Sequence, residues 1–370
     1  MKRRTFLGLA GGTVLAVGGI GYLTSDKSNY VRADITASTR VPLLKPVEQE
    51  ILYLASLAPS GHNTQPWFVK HLAAFHWIIC NDKSKWLPAV DPSQRETILS
   101  IGAFMQNLEY AASYYGYRCD WKMLADTNQT EKIMEVTLIK AKIQAPIDIS
   151  KIISRRTIRS NYLNEPIKPK DLQSLSESDE NYFHYFSRDS KEFSWLNKQT
   201  LAANQQQTYR NDAEKELGKW LRFSSKEARH YKDGLTTASM EIIGISGWFV
   251  RNFYTSASAM KDNFREQSLE KVKTQVSQSA GWLLITSKDS STIALLETGK
   301  RLQRLLLEIR EKQIAIHPMT QILEEQPFSQ KINEALGIVD HIQFILRCGY
   351  IKEYPEPVSL RRPVSSFVKS

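Results

Sequence analysis

Ten residues, Ala58–Trp67 (APSGHNTQPW), gather side chains suited to holding a flat, hydrogen-bonding ligand. Ser60 supplies a hydroxyl, Asn63 and Gln65 supply amides, and the Pro59-Ser60-Gly61 break leaves backbone N–H groups outside any helix. Gln65 can order the loop, and Pro66-Trp67 can wall it. His62 is a general-base candidate by type. A second concentration is Ser154–Arg159 (SRRTIR), where Arg155, Arg156 and Arg159 can surround a dianionic phosphate with planar, bidentate donors. Arg361 or Arg362, within Leu360–Val364 (LRRPV), can complete that cluster. Three cysteines, Cys80, Cys119 and Cys348, show neither CxxC spacing nor a histidine at metal-ligand distance, which argues against a metal site. They are expected as buried thiols; export would permit one disulfide.

These residues need elements to position them. The loop ends an amphipathic run, PVEQEILYLASLAPS, in which Ile51, Leu54, Ala55 and Ala58 recur at helical spacing. Trp67–Lys70 and His76–Cys80 read as strands. A long helix follows from about Arg95 to Tyr115, with Ile98, Ile101, Met105, Leu108 and Ala112 on one face. Tyr117–Leu124 and Met134–Lys140 are strand candidates. Further on the order recurs: strand Ala280–Ser287, a polar turn, a long helix STIALLETGKRLQRLLLEIREKQ, then extended IAIHPMTQ. Aligning Gly102 with Gly299 puts Gln106 and Gln303 in register and sets Leu108 against Leu305. The halves are thus related by pattern rather than identity.

The chain has 370 residues, 42% apolar and 10% aromatic, enough for one large or two modest domains. Its net charge is +10, but the cations are interleaved with acids, as in KEARHYKDG. That is a solvated helix face, and with no recognition helix, zinc knuckle or RNP-like motif it argues against nucleic acid. No G-x-G-x-x-G follows a strand, so a dedicated dinucleotide fold is not indicated. MKRRTFLGLAGGTVLAVGGIGYLTS has a basic start and an apolar run from Phe6 to Leu23, the form of an export signal with an Arg3-Arg4 pair resembling the twin-arginine signature. Residues 1–25 are read as that signal and 26–45 as a linker. Cleavage, with Val31-Arg32-Ala33 as a weak candidate, or retention as an anchor are both open. Periplasm or cell envelope is the expected location, with membrane contact only through the signal. Asn204–Lys271 holds charged helical stretches, among them RNDAEKELGKWLRF, read as an exposed helix. It also holds an apolar piece, Ile242–Phe253, whose Trp248, Phe249 and Phe253 either cover a ligand or pack on the core.

The order P-S-x-x-N-x-Q-P-W after a helix resembles the flavin-contacting loop of the nitroreductase family, which binds FMN. SRRTIR resembles the arginine cluster with which that family opens. Here the cluster follows the loop by some ninety residues, where the family has it first. Leu336-Gly337-Ile338, Phe344–Tyr350 and LRRPV resemble the family's carboxy-terminal part. The resemblance implies an α+β, nitroreductase-like fold made of two degenerate halves, 46–150 and 151–370, with a helical insertion near 204–271. The halves form an intrachain pseudo-dimer around long core helices, as in the Acg-type branch. It implies that the loop of one half and the arginines of the other share one FMN, and that the symmetry-related site, lacking both motifs, is empty. By the same resemblance Pro59, Ser60, Asn63, Gln65, Arg155, Arg156, Arg159, Arg361 and Arg362 are cofactor-binding residues. The backbone at His317, Pro318 and Met319 lies close to the reactive flavin nitrogen.

Three functions stay open on the sequence. The first is an exported oxidoreductase passing hydride from NAD(P)H through FMN to a small electron-poor acceptor, a nitroaromatic or quinone. The second is an FMN-retaining protein with a lid and little turnover. The third is a partner-binding protein in which flavin only supports the fold.

Overall fold

The computed structural model describes residues 25–26, 40–142, 148–176 and 179–370. The expected signal, but for Ser25, and most of the linker, with the cleavage candidate, lie outside these residues. Helix α1 (Pro46–Ser56) begins with proline in its first turn. Its buried Glu48 accepts from the Lys45 N–H (2.8 Å) and from the Phe75 N–H (2.6 Å), so the buried carboxylate is fully partnered. Strands β1 (Trp67–Ala73) and β2 (His76–Asn81) form a hairpin, α2 (Arg95–Tyr114) crosses behind it, and β3 (Tyr117–Met123) and β4 (Lys132–Lys140) complete the first half. The order in this sheet is β11-β1-β2-β4-β3, where β11 (Val368–Lys369) is the end of the chain, paired parallel to β1 at Val69↔Val368. The carboxy terminus thus crosses into the sheet of the amino-terminal half, a crossing that the division at residue 150 does not convey.

After α3 (Ile149–Ser154) come an extended stretch at 155–159, α4 (Pro169–Ser176) and β5 (Phe183–Ser187). A mainly helical region follows: α5 (Lys191–Tyr209), α6 (Asn211–Trp220), β6 (Leu221–Arg222), α7 (Ser225–Tyr231), β7 (Leu235–Thr236), α8 (Gly244–Phe253) and α9 (Asp262–Ser277). The rest is β8 (Gly281–Ser287), α10 (Thr292–Glu308), β9 (Ile314–Pro318), α11 (Gln321–Glu324), α12 (Phe328–Leu336) and β10 (His341–Tyr350). The second sheet is antiparallel throughout, in the order β5-β8-β10-β9.

Helices α2 and α10 meet backbone to backbone at the two aligned glycines. A Cβ on Gly102 would stand 2.2 Å from the Leu296 carbonyl oxygen and 3.0 Å from Gly299 Cα; one on Gly299 would stand 2.0 Å from the Leu99 carbonyl oxygen. Only hydrogen fits there. Beside the crossing, Gln303 Nε2 donates to Asn107 Oδ1 (2.7 Å) inside the interface. Also on α10, Lys300 pairs with Glu109 of α2 at 2.8 Å and lies over the Trp121 ring.

Two sequence expectations need correction. RNDAEKELGKWLRF is a helix over α6, but Ala213, Glu214, Glu216, Gly218 and Trp220 are buried. Its acids are spent inside: Glu216 accepts from the N–H groups of Ala89 (3.0 Å) and Val90 (3.3 Å), while Trp220 packs with Leu87 and Val90. A hydropathy pattern counts charges and cannot see a loop whose backbone donors need acceptors. In Ile242–Phe253, Phe249 and Phe253 neither cover a ligand nor enter the core; they are exposed. All three cysteines are free, with Cys80 and Cys348 buried, and burial pushes each thiol up to about 12. No group of metal-binding side chains occurs among the described residues, and no described helix is long and apolar enough to cross a membrane.

Candidate functional site

The loop after α1 is strained. His62, Asn63 and Gln65 take left-handed backbone with φ of 46°, 55° and 56°, costly for residues with a Cβ and kept only where surroundings overdetermine it. Contacts distant in sequence do so. Asn63 Nδ2 donates to the carbonyls of Gly234 (3.0 Å) and Leu360 (3.1 Å), and its Oδ1 accepts from Arg361 Nη1 (2.8 Å). Arg361 also donates through Nη2 to the carbonyls of Leu57 (2.9 Å) and Ala58 (3.0 Å), the open C-terminal end of α1. Gln65 accepts from the Arg362 N–H and donates to the Lys232 carbonyl; Arg362 Nη2 donates to the carbonyls of Gln65 (2.6 Å) and Trp67 (2.8 Å). The LRRPV segment is therefore a staple for the loop.

Behind this staple lies a cavity of about 300 Å³. The loop supplies Pro59, Ser60, His62 and Asn63; the extended segment supplies Arg155, Thr157 and Arg159; the segment after α10 supplies His317, Pro318 and Thr320; Arg361 closes one side. Leu99, Ala103, Leu302 and Phe344 give it apolar walls at the α2–α10 crossing. Thr157, which the sequence reading passed over, follows from strand alternation: in extended chain, positions 155, 157 and 159 share a face, and Arg156 takes the other. Arg156 indeed turns away, donating to the Glu356 carbonyl (2.5 Å) and standing 3.7 Å from Glu241.

Of the twelve expected cofactor residues, eight line the cavity, while Gln65, Arg156, Met319 and Arg362 do not. Met319 is buried in the core beneath the second sheet, and its N–H donates to the Ile345 carbonyl (2.9 Å). With Pro318 lacking an N–H, neither residue has a backbone donor to offer a ligand. Asn63 lines the cavity, but its amide is already committed to the loop. Ser60 Oγ accepts from the Gln65 N–H (3.0 Å) and keeps its own hydrogen to donate.

The charges divide. Arg155, Arg159 and Arg361 stand on one part of the lining; Glu96 and Glu324, also missed in the sequence, stand on another. Thr320 Oγ lies 2.7 Å from Glu324 Oε1 and 3.2 Å from Glu96 Oε1. Glu96 Oε1 also accepts from Arg95 Nη2 (3.1 Å), and Glu324 Oε2 accepts from Gln207 Nε2 (2.6 Å). Burial, then the Glu96 charge, pushes the Glu324 carboxyl up to about 8. His317 is held well below the ordinary imidazole range by burial and by Arg159, Arg347 and Lys271, so its ring is neutral, and Nδ1 has no hydrogen-bond partner. His62 is also lowered, chiefly by burial, with Nδ1 likewise unpartnered. Sequence signals for Glu96 and Glu324 were absent: each is an acid on a helix, and only the fold brings them together.

No protein-family model matches the chain. A Serratia protein named as an NAD(P)H nitroreductase, PigM, is 29% identical over 124 residues, 31% of this chain and 34% of that protein. The chain therefore spans about a third of that relative. A Mycobacterium tuberculosis protein named as an NAD(P)H nitroreductase, acg, is 23% identical over 329 residues, 86% of this chain and 94% of that protein. Among solved structures, the FMN-dependent nitroreductase NfnB from Mycobacterium smegmatis in complex with NADPH aligns with 60% of this chain and 96% of that one, at 13% identity and a TM-score of 0.37. Motif order and the match with acg agree: over most of its length the chain is similar to a protein named as an NAD(P)H nitroreductase.

Proposed function

We propose that this chain is an FMN-binding oxidoreductase of nitroreductase type, a single polypeptide acting as a pseudo-dimer, in which NAD(P)H is the reductant and a small electron-poor aromatic the acceptor. One observation carries the reading: the Pro59–Asn63 loop and the Arg155–Arg159 segment, from opposite halves, line one cavity. Its donor set suits FMN. Arg155 and Arg159 match a phosphate dianion, Ser60, Thr157, Ser239 and Ser359 match a polyol chain, and Leu99, Ala103, Leu302 and Phe344 match a flat ring. Neutral His317, with Nδ1 unpartnered, leaves a buried polar atom for such a ligand to satisfy.

FMN, when bound, supplies the hydride chemistry that no side chain here provides. The protein's part is to bind, orient and hold charge. The Arg361–Asn63 staple keeps the loop in its strained shape, and Glu324, its carboxyl raised to about 8 by burial and the Glu96 charge, holds a proton at the cavity wall. Both relatives, acg and PigM, carry nitroreductase names, which supports the reaction class. Export is part of the proposal and rests on the amino-terminal sequence.

A second reading, retention of FMN with little turnover, is favoured by Gln207, Leu235 and Ser239, which extend the helical region over the cavity. The test is the absorption spectrum of purified protein before and after anaerobic NADPH. A flavin spectrum that bleaches supports the enzyme; one that persists supports retention. Protein that is colourless and takes up no added FMN overturns both.

A further inference from the structure

Helix α8 presents an apolar stripe to solvent. Ile245, Phe249 and Phe253 follow at one-turn spacing and are 87%, 49% and 60% exposed, and Ile243, just before the helix, is 66% exposed. Single exposed apolar side chains are ordinary; three large ones on one face of a helix and a fourth at its start mark a contact surface. The opposite side of the helix is seated firmly. Gly247 and Arg251 are buried, and a Cβ on Gly247 would come within 2.3 Å of the Ile242 carbonyl oxygen. The Phe249 and Phe253 rings lie with centroids 4.8 Å apart, making the stripe continuous.

The neighbouring stripe of the same helix grips the chain near its start. Trp248 Nε1 donates to Ser25 Oγ (2.8 Å), Asn252 Nδ2 donates to the Asp26 carbonyl (3.1 Å), and the Asp26 N–H donates back to Asn252 Oδ1 (2.8 Å). The Asp26 carboxylate in turn accepts from the N–H (2.6 Å) and hydroxyl (2.7 Å) of Ser225, the first residue of α7. Ser25 comes two residues after Leu23, the end of the apolar run Phe6–Leu23, and that run is long enough to span a bilayer. Ser25 and Asp26 are thus pinned beside the apolar stripe. Lys226 and Arg229, exposed on α7, add positive charge where anionic headgroups would lie.

We infer that α8 lies in the lipid–water interface of a bilayer, its Ile243, Ile245, Phe249 and Phe253 stripe in the upper acyl region. The occupant is lipid, because the Ser25–Asp26 pair held against this helix follows closely in sequence on an apolar run of bilayer length. The inference is independent of the cofactor.

The test uses the full chain carrying Cys119→Ser and one reporter cysteine, Phe249→Cys, labelled with an environment-sensitive fluorophore. Cys80 and Cys348 are buried and stay unlabelled. Val339→Cys is the comparison, since Val339 is 97% exposed on the loop before β10. With phosphatidylethanolamine–phosphatidylglycerol vesicles, the label at 249 is expected to shift to the blue, brighten several-fold and be quenched by lipid-borne nitroxide, while the label at 339 stays aqueous. A label at 249 that stays aqueous on vesicle-bound chain overturns the inference. Shielding that grows with protein concentration in the absence of lipid also overturns it, assigning the stripe to a second copy. Circular dichroism matching the unsubstituted chain shows that the labelled proteins are folded.

Discussion

Gly102→Ala tests the helix crossing on which the cavity is built. The new Cβ would stand 2.2 Å from the Leu296 carbonyl oxygen, and relieving this to an ordinary carbon–oxygen contact requires α2 and α10 to part by about 1 Å. No flexible side chain can absorb the shift, because the facing atoms are backbone. Overpacking of this kind costs ~1–3 kcal/mol, and the absence of a soft neighbour places this case high in that range. Alanine's helix propensity offsets ~1 kcal/mol. The expected net destabilisation is about 2 kcal/mol, roughly a 30-fold loss in the folded-to-unfolded ratio. Urea unfolding followed by circular dichroism reads it as a lower midpoint with an unchanged slope. FMN affinity, from flavin fluorescence, should weaken too, because Leu99 and Ala103 on α2 and Leu302 on α10 face each other across the cavity. Gly299→Ala should behave alike, and the double variant should fall short of the sum because both act at one contact. A Gly102→Ala protein more stable than the parent by ~1 kcal/mol would show propensity acting alone, and the crossing as described would be wrong.

Arg155→Ala with Arg159→Ala should yield folded protein that loses FMN on gel filtration, whereas Arg156→Ala, whose side chain lies outside the cavity lining, should retain it; the reverse result would misplace the phosphate. Glu324, raised to about 8, holds its proton in the fold where an unfolded glutamate has lost it, so its burial costs progressively more stability as pH rises from near 4.5 to 8. Glu324→Gln should accordingly flatten the decline in urea midpoint between pH 6.5 and 8.5, and identical slopes would refute the raised Glu324 carboxyl. Below pH 6.5 the neutral His317 acts in the opposite sense, since the unfolded chain takes up a proton that the fold excludes. The three thiols, each near 12, should resist a disulfide reagent at pH 8 and all react once urea unfolds the chain. Asn63→Ala should loosen the loop at a cost of ~1–3 kcal/mol, read by thermal unfolding, because the Arg361 guanidinium loses an acceptor inside the fold.

The site was legible in the sequence where chemistry is local. A helix stopped by Pro59-Ser60-Gly61, an arginine run in extended chain and two glycines at matching places in two amphipathic helices are all short-range patterns. The structure brings the loop and two of the three arginines, Arg155 and Arg159, to one cavity, and sets the two glycines against each other where the helices cross. The repeat predicted from Gly102 and Gly299 is a steric statement, and both residues lie at the one place where the two helix backbones touch. The reading failed where a residue's role depends on a partner far along the chain. Arg361, Arg362 and Asn63 have the types expected of ligand contacts, yet most of their hydrogen bonds go to backbone carbonyls of the fold, at Leu57, Ala58, Gln65, Trp67, Gly234 and Leu360.

Periodicity thus determined the main helices and strands, and the motif resemblance implied the class of fold and the residue types of a flavin-like site, because helix, strand and turn preferences are settled within a few residues. Tertiary structure alone decided which arginines face the cavity, that Glu96 and Glu324 meet beside it, and that the last strand returns to the first sheet. Those outcomes turn on desolvation and on the pairing of buried polar groups, both set by residues up to 300 positions apart.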